Sequence, residues 1–339
     1  MISRERVLRA INFKGVDRVP IMHGTIPAAF LKYGKDLVGL YQKYPSDFEP
    51  PPKKAPGLEE LEGIYRKGTF CDEWGCVWRT LEDGILGEYI APPLEDWNKL
   101  ESYKFPDLTP DEEKTRQDKE VVKKNKENYF VIVGAYGLNF VFEKMQSLRG
   151  VENLMVDFIK QPDEVSILLD KLFDYALEKT RLTLELEPDG IMFGDDWGTQ
   201  QNLLISPELW RKFFKPGYKK LFDLVHNKGA ISYFHSDGQI MEIIPDFIEI
   251  GLDVLNPQFS CMDLEELARV TKNNLCISSD IDRQHILPFG KPEEVKEYVE
   301  RVLEIFDAKN GGFIARGEIN RDVPLENVEA MFQAFLEYE

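Results

Sequence analysis

The sequence predicts an α/β fold, a single (β/α)₈ TIM barrel with a closed parallel sheet, over residues 1–339. Three observations carry this. From Thr109 onward, short apolar runs alternate with segments of helical periodicity, the beat of a parallel sheet. Those runs (VIVGAYG, GIMFG, AISYF, LDVL, LCIS, GGFIA) are apolar on both alternating positions, as strands covered on both faces must be. No glycine-rich GxGxxG opens a helix after a strand, which removes the main argument for an open dinucleotide-binding sheet.

Taken in order, Ser3–Asn12 has a helical pattern and leads to the apolar strand Val19–Met22. Tyr44–Pro56 is rich in proline and lysine and reads as surface loop. Two β-type segments, CDEWGCVWRT and GILGEYI, flank Asp83-Gly84, a hairpin signal. Residues 44–108 are therefore expected to form an insertion or lid, containing a β-hairpin, beside the barrel. Thr109-Pro110-Asp111-Glu112 carries the signature of a helix start with a capping-box glutamate. The strand YFVIVGAYG follows, then helical patterns at Asn139–Met145 and Pro162–Leu186, and the strand DGIMFGDDWG. Ser206-Pro207-Glu208 opens a long amphipathic helix ending near Gly229. Four strand–helix beats complete the chain: AISYFH with Ile240–Ile250, LDVLN with Leu264–Val270, LCISSD with a helix from Pro292, and GGFIAR with one after Pro324.

With 339 residues and a formal net charge of −18, the chain suits neither nucleic acid nor an anionic membrane surface as partner. A highly anionic substrate would need arginines gathered inside the site. The charged N-terminus MISRERVLRAINF has no apolar signal-peptide core, and no run approaches the length of a membrane span. Cys71, Cys76, Cys261 and Cys276 show no paired CxxC spacing. They read as reduced thiols of a cytoplasmic protein.

Barrel chemistry is built at the C-terminal ends of the strands. Reading those ends gives His23, Tyr136, Asp195, Asp196, His235, Asp237, Asn256, Ser278–Asp280, Arg316 and Glu318. Each has a structural reading too: turns and caps for the aspartates, a core histidine for His235, an ion pair for Arg316 and Glu318. His235-x-Asp237 is the sharpest local feature, because residues two apart on a strand point to the same side and can share a metal or a proton. Glu318 offers a third ligand. Trp74, Trp78 and Trp197 suit core or lid packing better than ligand contact, and His226 and His285 read as surface residues.

Several segments together resemble the uroporphyrinogen decarboxylase-like superfamily: FGDDWGTQQNLLISPELWRKFFKPGYKKL, FHSDGQIMEIIPDFIEIGLDVLNPQ, DIDRQHILPFGKPEEV and DVPLENVEAM. The opening ISRERVLRAINFKGVDRVPI is similar to the start of its corrinoid-dependent methyltransferase-like branch. The resemblance implies a (β/α)₈ barrel enzyme. The decarboxylases grip a polycarboxylate with an arginine-rich N-terminal motif, whereas VPIMHGTIPAAFLKYG contains no arginine, so bidentate carboxylate binding lacks its donors there. The methyltransferase branch uses a zinc motif His-x-Cys with a late cysteine. Here His235 matches the histidine, Asp237 stands at the first cysteine, and Glu318 is the donor near the second.

A His235/Asp237/Glu318 zinc site would be harder than a thiolate one and suits polarising an ether oxygen. The resemblance thus implies a methyltransferase moving a methyl group from a small O-methylated donor to a separate corrinoid protein, which would supply the cobalamin. In this reading Asp195, Asp196 and Arg316 are catalytic, while His23, Trp74, Tyr136, Asn256 and Asp280 bind substrate. Trp78 and Tyr136 could hold a ring-bearing donor with Trp74. Two rivals stay open: a cofactor-free decarboxylase using Asp72 or Asp195, and a non-catalytic binding barrel. A homodimer is compatible with either.

Overall fold

The computed structural model describes residues 1–134 and 141–338. Among the described residues ten strands form two sheets: β1 (Ile21–Thr25), β2 (Gly68–Cys71), β3 (Val77–Thr80), β4 (Glu88–Ala91), β5 (Ile132–Val133), β6 (Gly190–Gly194), β7 (Ile231–Ser236), β8 (Val254–Pro257), β9 (Cys276–Ser278) and β10 (Phe313–Ile319). Seven of them make one parallel sheet in the order β1-β10-β9-β8-β7-β6-β5. This is the curled sheet of a TIM-like α/β fold, with seven strands where the sequence led us to expect eight.

One residue takes the place of a strand between β5 and β1. The Asp47 backbone N–H donates to the Ile21 carbonyl (2.8 Å), and its own carbonyl accepts from the Phe130 N–H (3.0 Å). Pro45 and Pro50–Pro52 flank this stretch, and prolines cannot donate to a ladder. The contact is therefore a single stave rather than a strand. The Asp47 carboxylate, fully buried, accepts from the Ile21 N–H (2.8 Å) and pairs with Arg6 (2.6 Å) and Arg18 (2.7 Å).

Side-chain alternation divides the sheet residues between two cores. Phe130, Tyr233, Val254, Cys276 and Ile314 point inward and pack with Phe48 in a compact cluster. Val7 and Ile11 of the helix Ser3–Ile11 join it and close the N-terminal end of the sheet. The odd partners of the same strands, such as Phe193, Phe234, Leu255 and Ala315, pack against the helices in the larger core. A period of two sorts each strand in this way.

The region 44–108 contains an antiparallel sheet of three strands, β2-β3-β4. Asp83-Gly84 does lie between strands, but the first expected segment folds back on itself, with Asp72 accepting from the Trp74 and Cys76 N–H groups. The β3–β4 connection docks on the residues after β1: Gly84, at φ +83°, lies so close to Ala28 that a Cβ would come within 2.6 Å of its backbone. Among the helices, the start near Thr109 is Glu112–Asn125 capped by Asp111 rather than Thr109. The long helix after Ser206 is two, Pro207–Phe213 and Lys215–His226, since Pro216 has no N–H to continue the first. The helix Val151–Lys160 was not anticipated. No described helix is long and apolar enough to cross a membrane.

At the N-terminal ends of β7 and β8, His226 Nε2 lies 2.8 Å from Asp253, whose carboxylate also accepts from the Ser232 hydroxyl (2.8 Å). That hydrogen bond raises the His226 pKa against the opposing effect of burial. A raised histidine stabilises the fold at pH values below its unfolded pKa of about 6.5, and the gain is lost as pH climbs through the higher folded value.

Two stability measurements test these joints. Asp47→Ala takes the acid partner from Arg18 and one of two from Arg6, which keeps Asp17, and removes the stave's anchor, so urea unfolding should show a loss of about 2–3 kcal/mol. His226→Gln should cost about 0.5 kcal/mol at pH 6 and nothing at pH 9, the half-exposed pair being screened. An equal cost at both values would mean that packing, not charge, is what His226 contributes.

Candidate active site

The strands that pack inward at one end turn polar at the other. Above the apolar layer the inward positions are Gly24 of β1, Gly194 of β6, His235 of β7, Asn256 of β8, Ser278 of β9 and Arg316 of β10. Their lateral pairing brings His235 beside Gly194 and Asn256, and Gly24 beside Glu318. Gly24 leaves room for a guanidinium: a Cβ there would lie 3.0 Å from Arg316 Nε.

Asn256, wholly buried, organises this layer. Its amide nitrogen donates to the Ser278 and Ser279 carbonyls (3.0 Å each), and its oxygen accepts from His235 Nδ1 (2.9 Å) and Arg316 Nη1 (3.0 Å). The Asn256 carbonyl is a second acceptor for His235 Nδ1 at 3.1 Å. Both partners of Nδ1 are acceptors, so Nδ1 carries the proton. In the neutral ring the Nε2 lone pair is then free.

That lone pair points into a group of acids. Nε2 lies 3.4 Å from Asp237 Oδ1 and 3.8 Å from Asp196 Oδ1. Among the described residues, Asp196, His235 and Asp237 form a group whose ligand atoms all lie within 4.8 Å of one another. Asp237 Oδ1 is buried without a hydrogen-bond partner. Asp196 Oδ1 also accepts from the Asp237 backbone N–H (2.9 Å), which leaves its second lone pair, and the convergence of an imidazole nitrogen with two carboxylate oxygens suits a cation.

Glu318 stands apart from this group. It pairs with Arg283 (2.5 Å) and with Arg316 (3.6 Å). Arg283 also donates to Asp237 Oδ2 and lies 3.6 Å from Asp280. Asp280 is buried, lies 3.6 Å from Arg316, and has its pKa pushed up to about 6 by burial, against the pull of both arginines. Burial likewise raises the Asp196 pKa, with Asp237 adding to it and His235 opposing.

The adjacent aspartates divide by alternation. Asp196 points inward with the group above. Asp195 points outward, fully buried, and accepts from the Val141 and Glu143 N–H groups (3.0 and 2.9 Å) and from the Tyr218 hydroxyl. It thereby caps the helix Val141–Arg149. Burial lifts its pKa to about 7 despite those bonds.

Of the remaining expected residues, His23 points outward from β1, stacked on Tyr41 at 3.9 Å with Nε2 donating to the Tyr44 carbonyl (2.7 Å). Burial lowers its pKa to about 4. Trp74 packs on Phe105 and Tyr175 in the main core, and Trp197 is fully buried. Trp78 donates to Asp72 (2.9 Å). Tyr136 lies outside the described residues. The structure thus gathers Asp196, His235, Asp237, Asn256, Asp280, Arg316 and Glu318, and leaves His23, Trp74 and Asp195 in structural surroundings.

Two participants were not singled out in the sequence. Arg283 sits in the turn after β9, where Asp282 accepts from the Gln284 and His285 N–H groups (2.8 and 2.9 Å). Its spacing three residues after Asp280 was the available signal. Glu143 lies in the first turn of a helix, which strand-end reading does not cover. Burial, then the charges of Asp196, Asp195 and Asp237, raise its pKa well above the ordinary carboxylate value.

Residues 84–338 match the sequence family described as Uroporphyrinogen decarboxylase (URO-D). The chain belongs to that family. Comparison with curated proteins gave no sequence match. Among solved structures, a methyltransferase from Methanosarcina mazei is similar over 99% of this chain and 98% of its own, at 18% identity and a TM-score of 0.72. That likeness shows a shared fold. A 3-keto-D-glucoside 4-epimerase from E. coli is similar over 66% of this chain and 82% of its own, with 15% identity and a TM-score of 0.39. Within the URO-D fold, the polar end of the sheet described above is the candidate active site.

The two aspartates should separate experimentally. Asp195→Ala leaves the Tyr218 hydroxyl and two helix N–H groups without their acceptor, and should cost about 2–3 kcal/mol in urea unfolding. Asp196→Asn removes a crowded carboxylate and should cost nothing. Equal losses would contradict the assignment of one to structure and the other to the site.

Proposed function

We propose that this URO-D family chain is a methyltransferase that removes a methyl group from a small O-methylated donor and passes it to a separate corrinoid protein, with zinc held by Asp196, His235 and Asp237. One observation carries the metal: His235 Nε2, Asp237 Oδ1 and Asp196 Oδ1 converge as acceptors, and Asp237 Oδ1 has no partner. The charge balance supports it. Asp196, Asp237, Asp280 and Glu318 face Arg283 and Arg316, leaving formally two negative charges, which a divalent ion would neutralise. Imidazole with two carboxylates suits zinc. Glu318, assigned to the metal from its position in the sequence, is replaced in this reading by Asp196.

A zinc ion bound there would supply Lewis acidity toward an ether oxygen. The chain's own groups do the rest. Asn256 fixes the His235 ring and tautomer, as the outer partner of a metal-ligating histidine does. Glu143, whose protonated form is favoured by burial and by the charges of Asp196 and Asp195, would supply the proton that a departing alkoxide needs. Arg316, at the floor of the site, orients the donor. The three-stranded sheet docked beyond β1 is proposed as the lid over it.

Methyl transfer fits better than decarboxylation of a polycarboxylate. Arg283 and Arg316 are both already paired with acids of the site, so neither brings the unneutralised charge that a substrate carboxylate requires, whereas an uncharged donor needs only hydrogen bonds from Arg316. Asp72 has its oxygens engaged by two N–H groups and the Trp78 indole. The fold shared with a methyltransferase accords with this choice.

Metal analysis of protein purified without chelator tests the proposal. The wild type should hold about one zinc per chain, and His235→Ala should hold none. Metal-free wild type that also fails to take up added zinc would end this reading.

A further inference from the structure

We infer that Arg283 is a built-in cation that keeps Glu318 off the metal and leaves Asp237 a single oxygen to offer, so that this residue sets the strength and coordination number of the site. The inference rests on the metal reading above but concerns a residue outside the ligand group.

The geometry is specific. One guanidinium edge of Arg283 takes Glu318 Oε1 (2.5 Å), another takes Asp237 Oδ2, and Nε lies 3.6 Å from Asp280. The second oxygen of Asp237, Oδ1, is the one left unpartnered and turned toward His235. A planar fork is suited to holding two carboxylates at fixed positions in this way, and an ammonium is not. The turn that presents Arg283 is itself tied down by Asp282 and by the pairing of Ile281 with Gly317 of β10. The side chain is mostly buried, so its charge is felt at the group with little screening.

Two consequences follow. Glu318, two residues beyond Arg316 on the same inward face, is spent on Arg283 and adds nothing to metal binding in the wild type. The positive charge of Arg283 also opposes a second cation beside it. Removing Arg283 both relieves that repulsion and frees two carboxylate oxygens, one of them on Glu318.

The test is zinc affinity of the full chain, measured by competition with a chromophoric chelator, together with the visible spectrum of the cobalt(II) form. We expect Glu318→Gln to bind zinc within about threefold of wild type and Asp196→Asn to bind it about a hundredfold more weakly. Arg283→Gln should bind about tenfold more tightly, with a cobalt spectrum shifted toward higher coordination. Arg283→Gln combined with Glu318→Gln should return most of the way to wild type. Arg283→Lys keeps the charge without the fork, and should fall between wild type and Arg283→Gln. Arg283→Gln binding as weakly as wild type or more so, or a wild-type site that needs Glu318 as much as Asp196, would overturn the role of Arg283 while leaving the metal reading intact. Failure of every form to bind zinc or cobalt would instead remove the metal reading and this inference together.

Discussion

The amide of Asn256 joins three strands at the polar end of the sheet, and the rest of the site depends on how its four hydrogen bonds are used. Its nitrogen is committed to the Ser278 and Ser279 carbonyls at the end of β9 and its oxygen to His235 and Arg316. With both donors and the acceptor fixed, the amide cannot turn over without losing all of them at once, in a place where water does not reach. One imidazole tautomer and one guanidinium position follow. A buried amide serves this better than a carboxylate would, because it adds no charge to a site already rich in acids.

That excess of acid is the second constraint. Carboxylates crowd inside the sheet because consecutive inward positions at the strand ends are acidic: Asp196, Asp237, Asp280 and Glu318 each follow a smaller or basic inward residue by two places. Arg316 and Arg283 lower the cost without cancelling it: burial raises the pKa of Asp196 and Asp280 even against the pull of the neighbouring cations. Asp195 shows the opposite use of the same residue type. One position along the strand it faces the helices, and its charge is spent on a helix start and a tyrosine hydroxyl.

Much of this was legible in the sequence. The apolar runs and the helices between them located all seven parallel strands, and the strand ends named most of the residues that meet at the site. The separation of Asp196 from Asp195, and the outward turn of His23 between Met22 and Gly24, required the register of β6 on β7 and of β1 on β10 to set the phase of the alternation. Other features were not readable. Asp47 lies in a proline-rich stretch that offers no strand pattern, yet it bridges β5 and β1 through its backbone. Arg283 and Glu143 lie on a turn and a helix, and only tertiary packing brings them to the strand ends. Glu318 was assigned to the metal from its position in the chain, whereas its partner is decided by a guanidinium arriving from another loop.

Crystals grown with zinc, with data collected at the zinc absorption edge, would test the account most directly. The account predicts one anomalous peak within about 2.0–2.2 Å of His235 Nε2 and of an oxygen from each of Asp196 and Asp237, with Glu318 still on Arg283. A peak lying between Asp237 and Glu318 with Arg283 displaced, or none near His235, would contradict it.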